Sequence, residues 1–407
     1  MFIYQIFIGL YKIVAQLLGL FDAKARKWIN GRDHWKSLDI QRNAEEKLYW
    51  FHCASVGEFE QARPVIEGLK SQIPESKIVL TFFSPSGYEL RKNYEYADFV
   101  TYLPTDTKSN ARLFLDKVKA DFVVFVKYEF WFNLMNEVHV RRIPFYLISA
   151  HFPKNHFLLK WPGSLLGKRL TQFDRIFLQD GSSAQDLRKI GVTSVEIAGD
   201  TRFDRVEEGK KSKWNNAQVS EFVGDEKVLV IGSNWSEDDK VILPVLQNID
   251  DFKVIVAPHE IKGNQWTVWS KTFDGQIVKW SEMEHTELSK ARVLFVDTVG
   301  VLSKLYRFGT AAFVGGGFGA GLHNTLEAAV YGIPVIFGPN NKRFLEVQTL
   351  KELGVGLQIE NTDGFIQALL RAMKEREYQE NCTKVLREYF DQNIGASQKI
   401  IQSIINE

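Results

Sequence analysis

Two stretches hold residue types at spacings that can do chemistry. In HCASVGEFEQ, His52 to Gln61, an apolar run gives way to Ser55 and Gly57 and then to a single carboxylate, Glu58. Ser55-Val56-Gly57-Glu58 reads S-x-x-E, a capping box in which serine and glutamate each satisfy a backbone amide at the start of a helix. On spacing alone the cap is the preferred role. In AAFVGGGFGAGLHNTLEAAVYGIPVIFGP, Ala311 to Pro339, a strand runs into a turn holding Gly315, Gly316, Gly317, Gly319 and Gly321, and HNTLEAA then opens a helix. Bare amides at such a turn would suit phosphate, because glycine lets a ligand approach the chain and the helix N-terminus favours negative charge. Glu327, one turn further, could accept hydrogen bonds from a ribose diol. The alternative is a tight turn with Glu327 on a solvated face.

The elements needed to position these groups are legible around them. After residue 47, short β-rich runs alternate with amphipathic stretches, the grammar of βαβ units and parallel sheets. Strand candidates are 48–53, 77–82, 98–103, 121–126, 143–148, 174–179 and 194–199, then 227–232, 253–258, 292–297, 311–316, 334–339 and 354–359. The expected fold class is α/β, with two doubly wound Rossmann-like domains facing each other across a cleft and ligands outside the carboxyl ends of the strands. The boundaries follow as 37–205 for the first domain, a polar linker at 206–225, and 226–407 for the second, whose last helix could return to the first. A chain of 407 residues suits two domains. Hydrophobic residues at 45% and charged residues at 25% match globular averages. With 51 basic and 50 acidic residues no global field favours nucleic acid, and none is expected as a partner. Cys53 and Cys382 lack metal-ligand spacing and suit a reducing compartment.

Residues 1–36 stand apart. Ile3, Phe7, Leu10, Val14, Leu17 and Phe21 form one row at helical spacing, and Gln5, Gly9, Lys12, Gln16 and Gly19 another. No small-residue cleavage site follows, so a removable leader is not expected. Lys24, Arg26, Lys27, Arg32 and Lys36, with Trp28 and Trp35, make a basic and aromatic flank suited to anionic headgroups. The expectation is a helix attached to the cytoplasmic face of a membrane, spanning it or lying in its interface. A helix packed on the domain core is the alternative.

The phrase H-N-x-L-E-A-A, then Y-G-I-P-V, then G-P, resembles the nucleotide-sugar site of GT-B glycosyltransferases. More narrowly, the chain resembles the bacterial 3-deoxy-D-manno-octulosonic acid (Kdo) transferases that add Kdo to lipid A. The matches run in order: SVGE (55–58), T-x-x-S-P-S-G (81–87), YLPTD (102–106), YEFWFN (128–133), GDTRFD (199–204), DTVG (297–300) and FVGGG before HNTLEAA. The resemblance implies inverting transfer from CMP-Kdo to the 6-hydroxyl of a lipid A precursor at the inner membrane, with no cofactor and no metal. Glu58 would be the general base and Arg202, where lysine is usual, would stabilise the transition state. Pro258, His259, Val299, Gly300, Val301, Gly316, Gly317, Asn324, Thr325, Leu326 and Glu327 would hold the donor. Ser55, Gly57, Ser84, Ser86, Lys127 and Glu129 would contact or orient the acceptor.

Several positions depart from that pattern. Lys127 stands where the family usually has a glutamate, reversing the sign, and Pro258 in VAPHE replaces the arginine expected near the donor phosphate. SNWSED (233–238) and SAHF (149–152) replace S-T-H-x-G-E and N-A-R sequences. They suggest a divergent branch. Another GT-B enzyme, either a UDP-sugar transferase or a nucleotide-sugar 2-epimerase, would keep the glycine turn and Glu327. A non-catalytic nucleotide-sugar-binding protein is the rival of another class.

Overall fold

The structure is a computed structural model that describes residues 2–43, 45–261, 263–319 and 321–407; the side chains of Phe2, Ile3, Lys12, Lys24 and His285 lie outside the described residues. The chain forms two compact units, Met1–Arg205 with Asn393–Glu407, and Val206–Gln392.

In the first unit the strands are β1 (Leu48–Cys53), β2 (Lys77–Phe82), β3 (Phe99–Tyr102), β4 (Phe122–Val126), β5 (Phe145–Ala150), β6 (Arg175–Leu178) and β7 (Val195–Ile197). They make one parallel sheet in the order β3-β2-β1-β4-β5-β6-β7. Runs such as FVVFV and LYWFHC are buried throughout, as a parallel sheet covered by helices on both faces requires. The winding reverses between β1 and β4. The loops after those two strands therefore part at their carboxyl ends, the usual place for a ligand in an open α/β sheet.

The second unit repeats the plan with β8 (Val228–Asn234), β9 (Lys253–Pro258), β10 (Ile277–Lys279), β11 (Val293–Phe295), β12 (Ala311–Val314), β13 (Val335–Phe337) and β14 (Gly356–Gln358). Their order is β10-β11-β9-β8-β12-β13-β14, so the reversal falls between β8 and β12. All strands expected from the sequence are present. The unexpected one, β10, is a three-residue edge strand too short to show a period.

The polar stretch 206–225 is not an irregular linker. It holds most of the Arg202–Lys211 helix and all of the Ala217–Val223 helix, with Val219 and Phe222 fully buried, and it belongs to the second unit. Its polar residues are the solvated faces of those helices. The last helix, Ala396–Ile405, belongs to the first unit: Ile400, Ile401 and Ile404 join Phe59, Ile66 and Leu80 in one core cluster. Asp204 fixes its start by accepting from the Gly395 and Ser397 amides at 2.5 and 2.7 Å.

Two helices precede the first sheet, α1 (Phe2–Leu18) and α2 (Ala23–Gly31). Tyr4 donates to Asp106 (2.5 Å), Gln5 to Asn133 (2.6 Å), and Ile8 is buried. The opposite face of α1 carries the apolar row, with Phe7, Leu10, Val14 and Leu17 between 51% and 60% exposed and Phe21 beyond it at 88%. The aromatic flank is placed otherwise than expected. Trp28 and Trp35 are buried, and the Arg32 guanidinium lies 4.0 Å from the Trp28 ring and 4.2 Å from the Phe83 ring. Arg32 also donates to the Leu103 and Phe83 carbonyls, so the segment that reads as headgroup-binding ties α2 to the sheet. Among the described residues no helix is long and apolar enough to cross a membrane.

Candidate active site

At the switch point of the first sheet, Cys53 ends β1 and Ser55 opens helix α3 (Val56–Gln72). Glu58 Oε2 accepts from the Ala54 amide at 2.5 Å and the Ser55 amide at 3.0 Å, so the glutamate half of the capping box is formed. That leaves Oε1 outside the cap. A helix N-terminus ordinarily favours an ionised carboxylate, but here other effects outweigh it. Burial and the nearby Glu129 carboxylate push its pKa up to about 8, against the lowering by the Ala54 and Ser55 amides and the Lys127 cation.

Glu129 belongs to a buried network anchored on the strands. His52 Nε2 lies 2.8 Å from Glu129 Oε2, and Trp131 Nε1 donates to the same oxygen at 2.6 Å. On its other side His52 Nδ1 is 2.9 Å from Thr81 Oγ1, which accepts from Trp50 Nε1. Lys127 follows β4 with a left-handed backbone (φ 66°), a strained conformation for a residue with a Cβ, while its amide donates to Ile148 O of β5. Ser84 Oγ and Ser86 Oγ lie 2.7 Å apart at the start of the Pro85–Arg91 helix that follows β2, and the Ser84 amide donates to Ala54 O, so this helix start is bonded to the loop that leads into α3 and Glu58. Gly57 is exposed beside Ser55 in the first turn of α3.

Arg202 Nε and Nη2 donate to Asp200 Oδ2 at 2.9 and 2.6 Å. Burial would raise the Asp200 pKa, but Arg202 and the bonds it makes outweigh burial and hold the carboxyl below its usual range. Asp200 also accepts from Gln61 of α3, which ties Arg202 to the helix that carries Glu58.

In the second unit the glycine turn is not the set of bare amides expected. Asp238 Oδ2 accepts from the Gly316 amide and from the Trp235 amide, both at 2.8 Å. The amides of Gly319 and Gly321 go to Gly316 O. A Cβ at Gly317 would stand 2.6 Å from the Gly338 amide, and one at Gly315 2.4 Å from Asn234 Cα. These two glycines serve close backbone packing between neighbouring loops. The helix after HNT is a single turn, Leu326–Ala329, so the extended helix N-terminus expected there is absent. Leu326 is buried in it, and Glu327 is partly buried, with Asn324 Nδ2 3.3 Å from its Oε1.

Beside the turn His259 stacks between Trp235 and His323, with ring centroids 4.4 Å apart on each side. Trp235 Nε1 donates to His323 Nε2 at 3.1 Å, and burial together with His259 pushes the His323 pKa down to about 4. The rings form a neutral platform. Pro258 is buried at the end of β9, while Val299 is 81% exposed, with Gly300 and Val301 following it in the loop after β11. Among the described residues, Asn234 Oδ1, Asp238 Oδ1 and Thr325 Oγ1 are buried around the turn without a hydrogen-bond partner. Among the described residues no three His, Cys, Asp or Glu side chains form a metal-ligand set.

The structure thus gathers Glu58, Lys127, Glu129 and the Ser84–Ser86 helix start at one switch point, and Gly316, Gly317, Thr325, Asn324 and His259 about the other. Sequence reasoning missed His52, Thr81, Trp131, Trp235 and Asp238. His52 begins the very stretch that contains Glu58, and its place on a fully apolar strand was the available signal.

The family model described as 3-Deoxy-D-manno-octulosonic-acid transferase (kdotransferase) matches residues 31–205. A 3-deoxy-D-manno-octulosonic acid transferase of Aquifex aeolicus is 28% identical over 347 residues, covering 83% of this chain and 90% of the relative. That of Haemophilus influenzae is 24% identical, covering 86% of this chain and 85% of its own. A bifunctional glycosyltransferase/methyltransferase of Fusobacterium nucleatum is 28% identical over 91% of this chain, which spans only 58% of that relative's length. Among solved structures, a UDP-GlcNAc 2-epimerase from Neisseria meningitidis superposes with a TM-score of 0.63 at 17% identity, covering 89% of this chain and all of the other. MurG of Acinetobacter baumannii gives 0.56 at 11% identity, covering 89% of this chain and 100% of its own. Two parallel seven-stranded sheets, these fold neighbours and the matched relatives converge: the chain is a glycosyltransferase of GT-B fold, similar over most of its length to the Kdo transferases.

Proposed function

We propose that the chain transfers Kdo from CMP-Kdo to the 6-hydroxyl of a lipid A precursor, in lipopolysaccharide core biosynthesis, with inversion at the anomeric carbon and Glu58 as general base. The acceptor oxygen attacks the anomeric carbon, the bond from that carbon to the phosphate oxygen breaks, CMP leaves with the electron pair, and the hydroxyl proton passes to Glu58. The observation that carries the reading is the state of that carboxylate. One oxygen is fixed by two backbone amides, and burial and Glu129 raise its proton affinity to a pKa of about 8. A base of that strength, poised near neutral pH, suits the abstraction of an alcohol proton. Lys127 offers a cation beside it for the acceptor, and Arg202, oriented by Asp200, offers a guanidinium to the developing negative charge.

The donor is assigned to the second unit. Its neutral Trp235–His259–His323 platform supports stacking with a nucleobase, and Glu327 supports a bond to the ribose diol. The outward apolar row of α1 supports attachment to the cytoplasmic face of the bacterial inner membrane, the helix lying in the interface. CMP release from CMP-Kdo that depends on added lipid A precursor, with a matching mass gain on the lipid, is the test. Nucleotide binding without turnover would favour the non-catalytic reading, and turnover of a UDP-sugar instead would favour another GT-B activity.

A further inference from the structure

A cavity in the first unit whose wall does not include Glu58 lies between the Lys108–Val118 helix and the Phe132–Val140 helix. Its volume is about 610 Å³, and its wall includes Lys108, Arg112, Arg169, Asn133, Glu137 and Leu113. Lys108 and Arg112 are one helical turn apart and so share a face. Among the described residues neither has an ion-pair partner, and Arg169 reaches only Asn136 Oδ1, at 3.4 Å. Glu137, the one carboxylate in the wall, is already held by Arg141 through bonds of 3.1 and 2.9 Å. Three cations about one cavity repel each other, and an anion in the cavity reverses that repulsion.

The position says where the anion comes from. Asn133 Oδ1 in the wall accepts from Gln5 of α1, so the cavity adjoins the first turns of that helix. There the outward residues Ile6, Phe7 and Leu10 are 49%, 60% and 56% exposed, and Leu113 on the rim of the cavity is 52% exposed. With that apolar face sunk to the acyl boundary, the cations would sit at the depth of lipid phosphates.

We propose that this cavity binds a phosphate group carried by a lipid of the same membrane, either the acceptor's own phosphate or the headgroup of a neighbouring phospholipid. The inference rests on the membrane reading of α1. The test uses the full chain with Lys108→Gln, Arg112→Gln and Arg169→Gln combined, and Arg112→Gln alone as the milder variant. In vesicle sedimentation, phosphatidylcholine containing phosphatidic acid should bind the wild type more tightly than phosphatidylcholine alone, and the triple variant should lose that increment by about tenfold or more. In detergent micelles without phospholipid, a raised KM for lipid A precursor with an unchanged KM for CMP-Kdo assigns the cavity to the acceptor's phosphate. An unchanged acceptor KM with a lost vesicle increment assigns it to a phospholipid. If both the phosphatidic acid increment and the acceptor KM are the same in wild type and triple variant, the proposal is wrong. Wild-type protein that binds neither vesicle would refute the membrane reading of α1, and the micellar KM would still decide the cavity.

Discussion

His52 Nε2 and Glu129 Oε2 lie 2.8 Å apart inside the first unit, and through this contact the strand that leads to Glu58 fixes the carboxylate that perturbs it. Burial is the larger cause of the raised Glu58 pKa, Glu129 the next, and Lys127 acts the other way. The base proposed at position 58 works ionised, so kcat/KM should rise with pH through a limb near pH 8. Removing the negative charge with Glu129→Gln should move that limb to lower pH, and removing the cation with Lys127→Ala should move it up. A limb that stays in place in Glu129→Gln would disconnect the two carboxylates.

Glu58→Gln separates the cap from the base. Glutamine can still accept from the Ala54 and Ser55 amides, so the helix start is retained while the proton acceptor is lost. We expect at least about a 100-fold loss in kcat. Stability should move the other way. A carboxyl whose folded pKa is raised above 4.5 to about 8 contributes most below pH 4.5, and that contribution is lost as pH rises through 8. The glutamine variant should therefore melt at a temperature equal to or above the wild type at pH 8 to 9. Near-normal turnover would reduce Glu58 to a cap.

Much of this was legible in the sequence, for a physical reason. Strand segments such as IVL (78–80) and FVVFV (122–126) are buried on both faces and read as unbroken apolar runs, so their place in parallel sheets follows from composition. Glu58 was readable because a capping box is local. What escaped was set by tertiary contact. Asp238 lies 78 residues from the Gly316 amide it accepts from, and nothing in the glycine run says that a carboxylate caps it. Trp28 and Arg32 looked like a membrane flank because burial by Phe83 and Leu103 cannot be read from their own segment. The 206–225 stretch reads as linker because two buried residues in a polar helix, Val219 and Phe222, give too weak a period.

Asp238 holds the β8 and β12 loops of the second unit together. Asp238→Ala would leave the Gly316 and Trp235 amides without their acceptor, at a cost of about 1–3 kcal/mol. The expected outcome is a lower melting temperature and a raised KM for CMP-Kdo, with acceptor KM unchanged. Asp238→Asn keeps an acceptor oxygen and should fall between. A donor KM equal to wild type in a folded Asp238→Ala protein would remove the turn from the donor site.

Arg202 has both a structural partner and a proposed role in the reaction, and the two can be split. Arg202→Ala strands the buried Asp200 carboxylate, a loss of about 3–5 kcal/mol. Because the folded Asp200 pKa is depressed, the pair stabilises at pH above the ordinary aspartate pKa and fades as pH falls below it. Adding Asp200→Asn removes the stranded charge. The double variant should recover most of the lost melting temperature while kcat stays low. Recovery of kcat along with stability would make Arg202 a structural ion pair only.

The outward row of α1 should be dispensable for folding and necessary for attachment. Phe7, Leu10 and Val14 are each at least half exposed, so replacing them with serine removes little buried area and should leave the melting temperature unchanged. Ile8, on the docked face at 2% exposure, is the control, and Ile8→Ala should cost about 2–5 kcal/mol. At the membrane the order inverts. Each outward side chain withheld from the acyl boundary forfeits about 1.5–3 kcal/mol of burial, so the triple serine variant should stay in solution when mixed with vesicles while Ile8→Ala, where folded, sediments with them. Turnover of lipid A precursor in vesicles should fall with attachment, whereas turnover in dilute detergent should not. A triple variant that still sediments would mean that the apolar row meets something other than lipid.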